Sequence, residues 1–245
     1  VFMFGGCGSK TPSHPIRCDY PLNDAYIYTP SSSTSSSKKG TWTKVADAPN
    51  GRYGHAMASL TSADGSGESS VLMYGGKFTG PNDAYIFTLS ASGGTWTRVA
   101  DGPGFRRYHT MASLPGGRVF MYGGHKFESG PMNDAYIFTP STAGGTWVQV
   151  ADGPYEKHGV YGHAMASLSS LSSLSSLSSA DIGGDGSVLV YGGAWKDLEF
   201  PYNNMITSGA FVYTSSTDAT DDTTGGKWEQ VADGPGEREW HGLAT

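Results

Sequence analysis

Cysteine is scarce. The chain holds two, Cys7 and Cys18, in one short stretch. That excludes a disulfide framework and leaves one local bridge or two thiols open. No apolar run approaches the ~18 residues that a membrane helix needs. Basic residues are outnumbered, with 16 Lys and Arg against 22 Asp and Glu, so the formal net charge is −6. The charges are scattered and form no basic stripe, which argues against nucleic acid as a partner. Apolar residues other than glycine make up 37 % of the chain, against ~45–50 % in globular domains for a count that also includes glycine. No stretch carries a long helical apolar period, so helices are not expected. Gly-x-Ser-x-Gly, a phosphate loop and His-Glu-x-x-His are absent, so no nucleophile or metal-protease chemistry is written in a motif. The chain begins at Val1 inside a strand-like run. A piece of something longer is the expectation, and a leader is neither implied nor excluded.

What the chain has in quantity is glycine, 36 residues without a collagen period. That points to many tight turns and therefore many short strands. The stretch 106–150 shows the arrangement at its cleanest. Tyr108 to Leu114 is apolar, and Pro115-Gly116-Gly117 turns it. Val119 to Tyr122 follows, closed by Gly123-Gly124. After a longer loop come Ala135 to Thr139, a turn at Ala143-Gly144-Gly145, and Thr146 to Val150. Short runs rich in Val, Tyr, Phe and Ile between Gly, Pro and Asn are strand signals. Four in a row predict an antiparallel meander.

The meander recurs. Its second strand ends in a double glycine at Gly5-Gly6, Gly75-Gly76, Gly123-Gly124 and Gly192-Gly193. Its third reads Asn-Asp-Ala-Tyr from Asn23, Asn82 and Asn133, and is worn to Ser208-Gly209-Ala210-Phe211 in the last copy. Its fourth opens on Trp42, Trp96, Trp147 or Trp228 and ends in Val-Ala-Asp. The tryptophans step by about 50 residues, a propeller-blade period, until insertions lengthen the last copy. Those insertions, Ser167 to Ser179 and Asp218 to Gly226, read as loops, as does Ser31 to Lys39, with a short helix along Leu171, Leu174 and Leu177 as the alternative for the first. The first strand of the next copy opens with Arg52, Arg106 or Arg238 three places before His55, His109 or His241. In the remaining copy Val160 stands before His163.

Taken together, the double glycine, the Asn-Asp-Ala-Tyr strand, the leading Trp and the Arg-x-x-His resemble kelch repeats. The resemblance spans nearly the whole chain. It implies an all-β fold, a β-propeller of four-stranded antiparallel blades. The physics agrees: a lone meander cannot bury both faces, and stacked blades can. The four tryptophans are then the filling between blades. The ends imply one blade built from both termini. The blades become 236–245 with 1–47, then 50–99, 104–150 and 155–231, in a single domain over 1–245. Four repeats from a longer array would show the same phase.

His55, His109, His163 and His241 are weak metal candidates, because equivalent positions converge around a ring; repetition of the blade explains them equally. Arg52, Arg106 and Arg238 are expected to pair with Asp47, Asp101 and Asp233 in the adjacent turns, with a cationic mouth for an anionic ligand as the alternative. The resemblance extends to copper oxidases like galactose oxidase, but their cysteine–tyrosine site has no matching pattern here. No catalytic residue and no cofactor are expected. The expected function is a non-catalytic scaffold for a protein partner, with carbohydrate binding or an enzyme-associated propeller as the alternative. The expected setting is intracellular. The surface would be the loops after the double glycines, with Phe78, His125, Lys126, Phe127, Trp195, Lys196, Phe200 and Tyr202 as contact residues.

Overall fold

A computed structural model describes residues 1–8, 18, 20–31, 40–60, 70–77, 82–126, 129–155, 158–168, 186–196, 204–215 and 226–239. Among these the protein is all-β apart from one short 3-10 turn, Pro115–Gly117. Three antiparallel sheets have four strands each, in sequence order. Sheet II comprises Ala56–Leu60, Ser70–Tyr74, Ala84–Thr88 and Thr95–Arg98. Sheet III comprises Thr110–Leu114, Arg118–Tyr122, Ala135–Thr139 and Thr146–Val150. Sheet IV comprises Ala164–Leu168, Ser187–Tyr191, Ala210–Thr214 and Lys227–Gln230. Sheet I has three described strands, Phe2–Phe4, Ala25–Thr29 and Thr41–Val45. The strand expected to complete it, Arg238 to Thr245, lies outside the described residues from 240 on, as do most of the three insertions.

The register repeats with the sequence. Tyr74 faces Ala84, Tyr122 faces Ala135, Tyr191 faces Ala210, and Phe4 faces Ala25. Each second strand then bends at its double glycine, both residues with positive φ. At Gly123, with φ +64°, an added Cβ would stand 2.5 Å from the Val160 carbonyl oxygen. That close approach is what the glycine is for.

Apolar residues form three cores, one between each successive pair of sheets. Phe4, Ala25 and Val45 of sheet I meet Met73 and Phe87 of sheet II. Leu72, Tyr74 and Val99 of sheet II meet Met111, Met121 and Phe138 of sheet III. Phe120, Tyr122 and Ile137 of sheet III meet Val190 and Tyr213 of sheet IV. Three tryptophans seal these seams. The indole Nε1 of Trp96, Trp147 and Trp228 donates to the carbonyls of Ala46, Ala100 and Ala151 in the preceding sheet's last turn, at 2.9, 3.1 and 3.1 Å. Their rings pack on Phe4, Tyr74 and Tyr122. Each such ring buries roughly 150–250 Å², an upper estimate of several kcal/mol at ~25 cal/mol per Å². Trp42 differs: it meets Tyr28 of its own sheet and is 54 % exposed.

First strands of sheets II, III and IV run side by side. Ser113 Oγ donates to the Ser59 carbonyl at 2.7 Å, and Ser167 Oγ to the Ser113 carbonyl at 2.6 Å. The first hairpin of sheet IV is paired out to Leu168 and Ser187, so Ser167 and Leu168, expected in a loop, end its first strand, and the chain between Leu168 and Ser187 leaves and rejoins the sheet on one rung.

Candidate functional site: the lead-in segments and the loops beside them

One end of the stack gathers everything the sequence marks out. There sheets II, III and IV each begin with a lead-in segment, 51–55, 105–109 or 159–163, running beside a double glycine. Gly6, Gly76 and Gly124 donate their N–H to the carbonyls of Arg52, Arg106 and Val160 in the following lead-in, at 3.0, 2.9 and 2.7 Å. Gly193 does the same to Arg238 at 2.6 Å, so residues 236–239 lie as a further lead-in after sheet IV.

Arg52 and Arg106 are structural, with a partner the sequence reading missed. Arg52 is fully buried and makes a two-pronged pair with Asp83, at 3.1 and 3.0 Å, and donates to the Gly75 carbonyl at 3.0 Å. Arg106 repeats this with Asp134, both contacts 2.8 Å, and with the Gly123 carbonyl at 3.0 Å. The expected partners are engaged elsewhere: Asp47 pairs with Lys44 and Asp101 with Arg98. Sequence proximity favoured the turn just before each arginine; the sheet instead brings the start of the third strand next to the first. The signal was in the repeats. Where Val160 replaces the arginine, Gly209 replaces the aspartate, so the pair is lost together.

The histidines point into the stack. His55, His109 and His163 lie against Phe4, Tyr74 and Tyr122, with centroids 5.0, 5.1 and 5.1 Å apart. His163 Nε2 is 2.5 Å from Thr110 Oγ1. Burial, helped by the nearby Arg52 charge, pushes His55 down to about 4. Burial, then the Arg106 charge, holds His109 well below its usual value. Both rings are therefore neutral at pH 7, and each fills the seam between two sheets. Among the described residues no three His, Cys, Asp or Glu side chains group so as to hold a metal. His241 lies outside them.

Beyond the histidines, three post-glycine loops are tied back to their own lead-ins. Lys77 bridges to Tyr53, His125 to Arg107 and Ala194 to Tyr161. Three loops continue as two-stranded ribbons: Cys7–Gly8 with Tyr20–Pro21, His125–Lys126 with Gly130–Pro131, and Ala194–Lys196 with Asn204–Ile206. A Cys7–Cys18 disulfide closes the first, with Cα atoms 5.3 Å apart. The alternative left open in the sequence resolves to the bridge, a bond at home in oxidising compartments.

Of the expected contact residues, His125 stacks edge-on to Tyr161 at 5.4 Å. Trp195 stacks on His158 at 4.4 Å and stays half-buried. Lys126 is half-buried in its ribbon, and Lys196 pairs with Asn204 through the ribbon ladder. Phe78, Phe127, Phe200 and Tyr202 lie outside the described residues. The lead-ins add residues the sequence reading passed over. Tyr108 has φ +61°, and it is the one non-glycine with positive φ among the described residues. Gly54 and Gly162 hold the equivalent places at +68° and +64°. The Tyr108 ring covers Gly54, where a Cβ would stand 2.7 Å from it. The Arg107 guanidinium sits 5.0 Å over the same ring, and Lys77 lies 6.0 Å over Tyr53. Burial raises the Tyr108 hydroxyl against the Arg107 charge that lowers it, so it stays protonated. The signal for Tyr108 was a tyrosine in a column of glycines.

The described residues thus define an all-β protein of stacked four-stranded antiparallel sheets. One end carries aromatic and cationic side chains on a repeated backbone. No family model matches the chain. It is similar to Adagio protein 3 of Arabidopsis thaliana, 25 % identical over 114 residues, and to Adagio-like protein 3 of Oryza sativa subsp. japonica, 24 % identical over 159 residues. These matches cover 44 % and 61 % of this chain but only 17 % and 22 % of the two relatives.

Proposed function

We propose that the sheets are blades of a kelch-type β-propeller and that the chain is a non-catalytic binding module for a protein partner. The binding surface is the end built from the lead-ins and the post-glycine loops. One observation carries the reading: the same backbone bridge holds Lys77 on Tyr53, His125 on Arg107 and Ala194 on Tyr161. A fixed frame with different side chains at each repeat is how a rigid scaffold presents a specific surface. Tyr108 adds to it. A non-glycine residue in the left-handed region costs about 1–3 kcal/mol, and such costs gather where a side chain has work beyond the fold. The similarity to two Adagio proteins, which carry kelch repeats, supports the same class.

The half-buried Trp195 ring, stacked on His158, favours carbohydrate as the second reading, since an aromatic face suits a sugar ring. The experiment compares proteins captured by the wild-type chain and by an Arg107→Ala/Tyr108→Gly/Trp195→Ala variant, with a glycan array run in parallel. The expected result is one protein enriched on the wild type and lost on the variant, with no sugar bound. Equal capture by both chains ends the proposal for this surface, and a defined glycan hit moves it to the carbohydrate reading. Tyr108→Gly serves as the folding control, because it relaxes the backbone and should leave the melting temperature intact.

A further inference from the structure

Three lead-ins give one position to different residues. Tyr53, Arg107 and Tyr161 each stand at the backbone bridge to the post-glycine loop of their own sheet. The repeat therefore does not require a cation there, and Arg107 has no part in the buried pairs of Arg52 and Arg106. Its backbone is fixed on both sides. The Arg107 N–H donates to the His125 carbonyl at 3.2 Å, and the His125 N–H donates back to the Arg107 carbonyl at 2.7 Å. The next residue, Tyr108, donates to the Gly54 carbonyl at 2.7 Å and accepts from the Gly162 N–H at 3.0 Å.

The side chain is served on one face only. Its guanidinium sits 5.0 Å over the Tyr108 ring. A ring attracts the charge but accepts none of the N–H donors, which lie in the guanidinium plane. The Nε is buried without an acceptor, and among the described residues no carboxylate pairs with Arg107. The half-buried side chain is thus sunk to Nε with its terminal fork unserved. Burial and the Glu239 charge raise the Tyr161 hydroxyl while the Arg107 charge lowers it. Both charges reach this spot, yet they form no ion pair.

The chain itself shows what such a fork takes. Arg52 and Arg106 also bury an Nε without an acceptor, and each places its two terminal nitrogens on the two oxygens of one carboxylate, Asp83 or Asp134. We propose that Arg107 is the anchor for a carboxylate of the protein partner, taken as the same two-pronged pair, with the Tyr108 ring against the guanidinium. This rests on the reading of the lead-in end as a protein-binding surface and names the chemistry that surface receives. A carboxylate is flat and matches the fork with two parallel bonds. Its source is an Asp or Glu side chain or the end of a chain.

The test titrates the full chain with a hexaglutamate peptide blocked at both ends and follows the arginine Nε–H signals by heteronuclear NMR. Circular dichroism confirms the fold of each variant. The Arg107 signal, identified by its loss in Arg107→Lys, should move and saturate. The signal of Arg118, whose Nε donates to the Pro115 carbonyl at the far turn of sheet III, should stay. Arg107→Gln should weaken peptide binding by about thirtyfold or more. Arg107→Lys should lose nearly as much, because lysine keeps the charge without the fork. A glycine–serine peptide with a free C-terminal carboxylate, set against its amide, tells the two sources apart, and binding of either carboxylate supports the proposal. No saturable shift, a shift with inorganic phosphate alone, or full binding by Arg107→Lys overturns it. So does a melting temperature lowered by Arg107→Gln and by Glu239→Gln but no further by both together, since the acceptor is then Glu239. A partner protein captured equally by wild type and Arg107→Lys, with no peptide bound, ends this inference and leaves the binding-module reading standing. Peptide bound by a chain that captures no protein ends that reading alone.

Discussion

Arg106 has no exposed side-chain surface and is held by Asp134 and a glycine carbonyl. Removing one partner of such a pair leaves a buried charge without compensation and costs about 3–5 kcal/mol. Sheet IV shows the other solution, Val160 with Gly209, in which neither charge is present. Arg106→Val alone should therefore lower stability in urea by about that amount, and adding Asp134→Gly should recover part of it. Losses that simply add would mean the two residues act independently. His55 supplies a second test at the same scale. Its folded value lies near 4 against an ordinary 6.5, so the unfolded chain binds its proton first. The stability this represents is complete above pH 6.5 and is lost as pH falls toward 4, about 3 kcal/mol in all. His109 is shifted in the same direction and adds to the slope. Urea unfolding at neutral and mildly acidic pH measures it, and His55→Gln should flatten the difference.

The element that decides stability is the tryptophan-led fourth strand. Trp147 seals a seam between sheets III and II, with its indole bonded to the Ala100 carbonyl. Trp147→Ala should cost about 3–5 kcal/mol. Trp42→Ala removes the same side chain from an exposed place and should cost the monomer under about 1 kcal/mol. Equal losses would show that Trp42 is buried in solution. Strands of this kind were legible in the sequence, since double glycines, Asn-Asp turns and leading tryptophans each mark a boundary by backbone chemistry. The packing of Trp96, Trp147 and Trp228 followed from their spacing. That spacing gave Trp42 the same role, because a repeat pattern shows the face but not whether a neighbour covers it. Partner choice was legible only by comparing repeats: Asp83 and Asp134 through their joint loss with arginine in sheet IV, Tyr108 through the glycines at Gly54 and Gly162. The ribbons after the double glycines gave no sign, being two or three residues long and pinned by tertiary bridges rather than by their own composition.

At the scale of the whole molecule, burial is laid down seam by seam. Each core joins one sheet to the next, so stability is close to a sum of sheets and seams. Among the described residues, sheets II and III have a neighbour on both sides, and sheets I and IV on one. Native-state hydrogen exchange should find the slowest amides in 70–74 and 118–122 and faster opening in 25–29 and 210–214. Uniform protection across all four sheets would mean that the end faces are covered as well as the inner ones.

The rung that pairs Leu168 with Ser187 has a consequence for how this chain can vary. A Ser/Leu tract of near-identical triplets is the sort of coding sequence that gains and loses units when it is copied. Because the chain that carries the tract leaves and rejoins the sheet on one rung, added units change only a loop closure, at about 0.6 kcal/mol for each doubling of length. That rung is at the opposite end of sheet IV from the lead-ins. Length variants at this point should therefore differ in size on a gel while keeping one fold and one binding end.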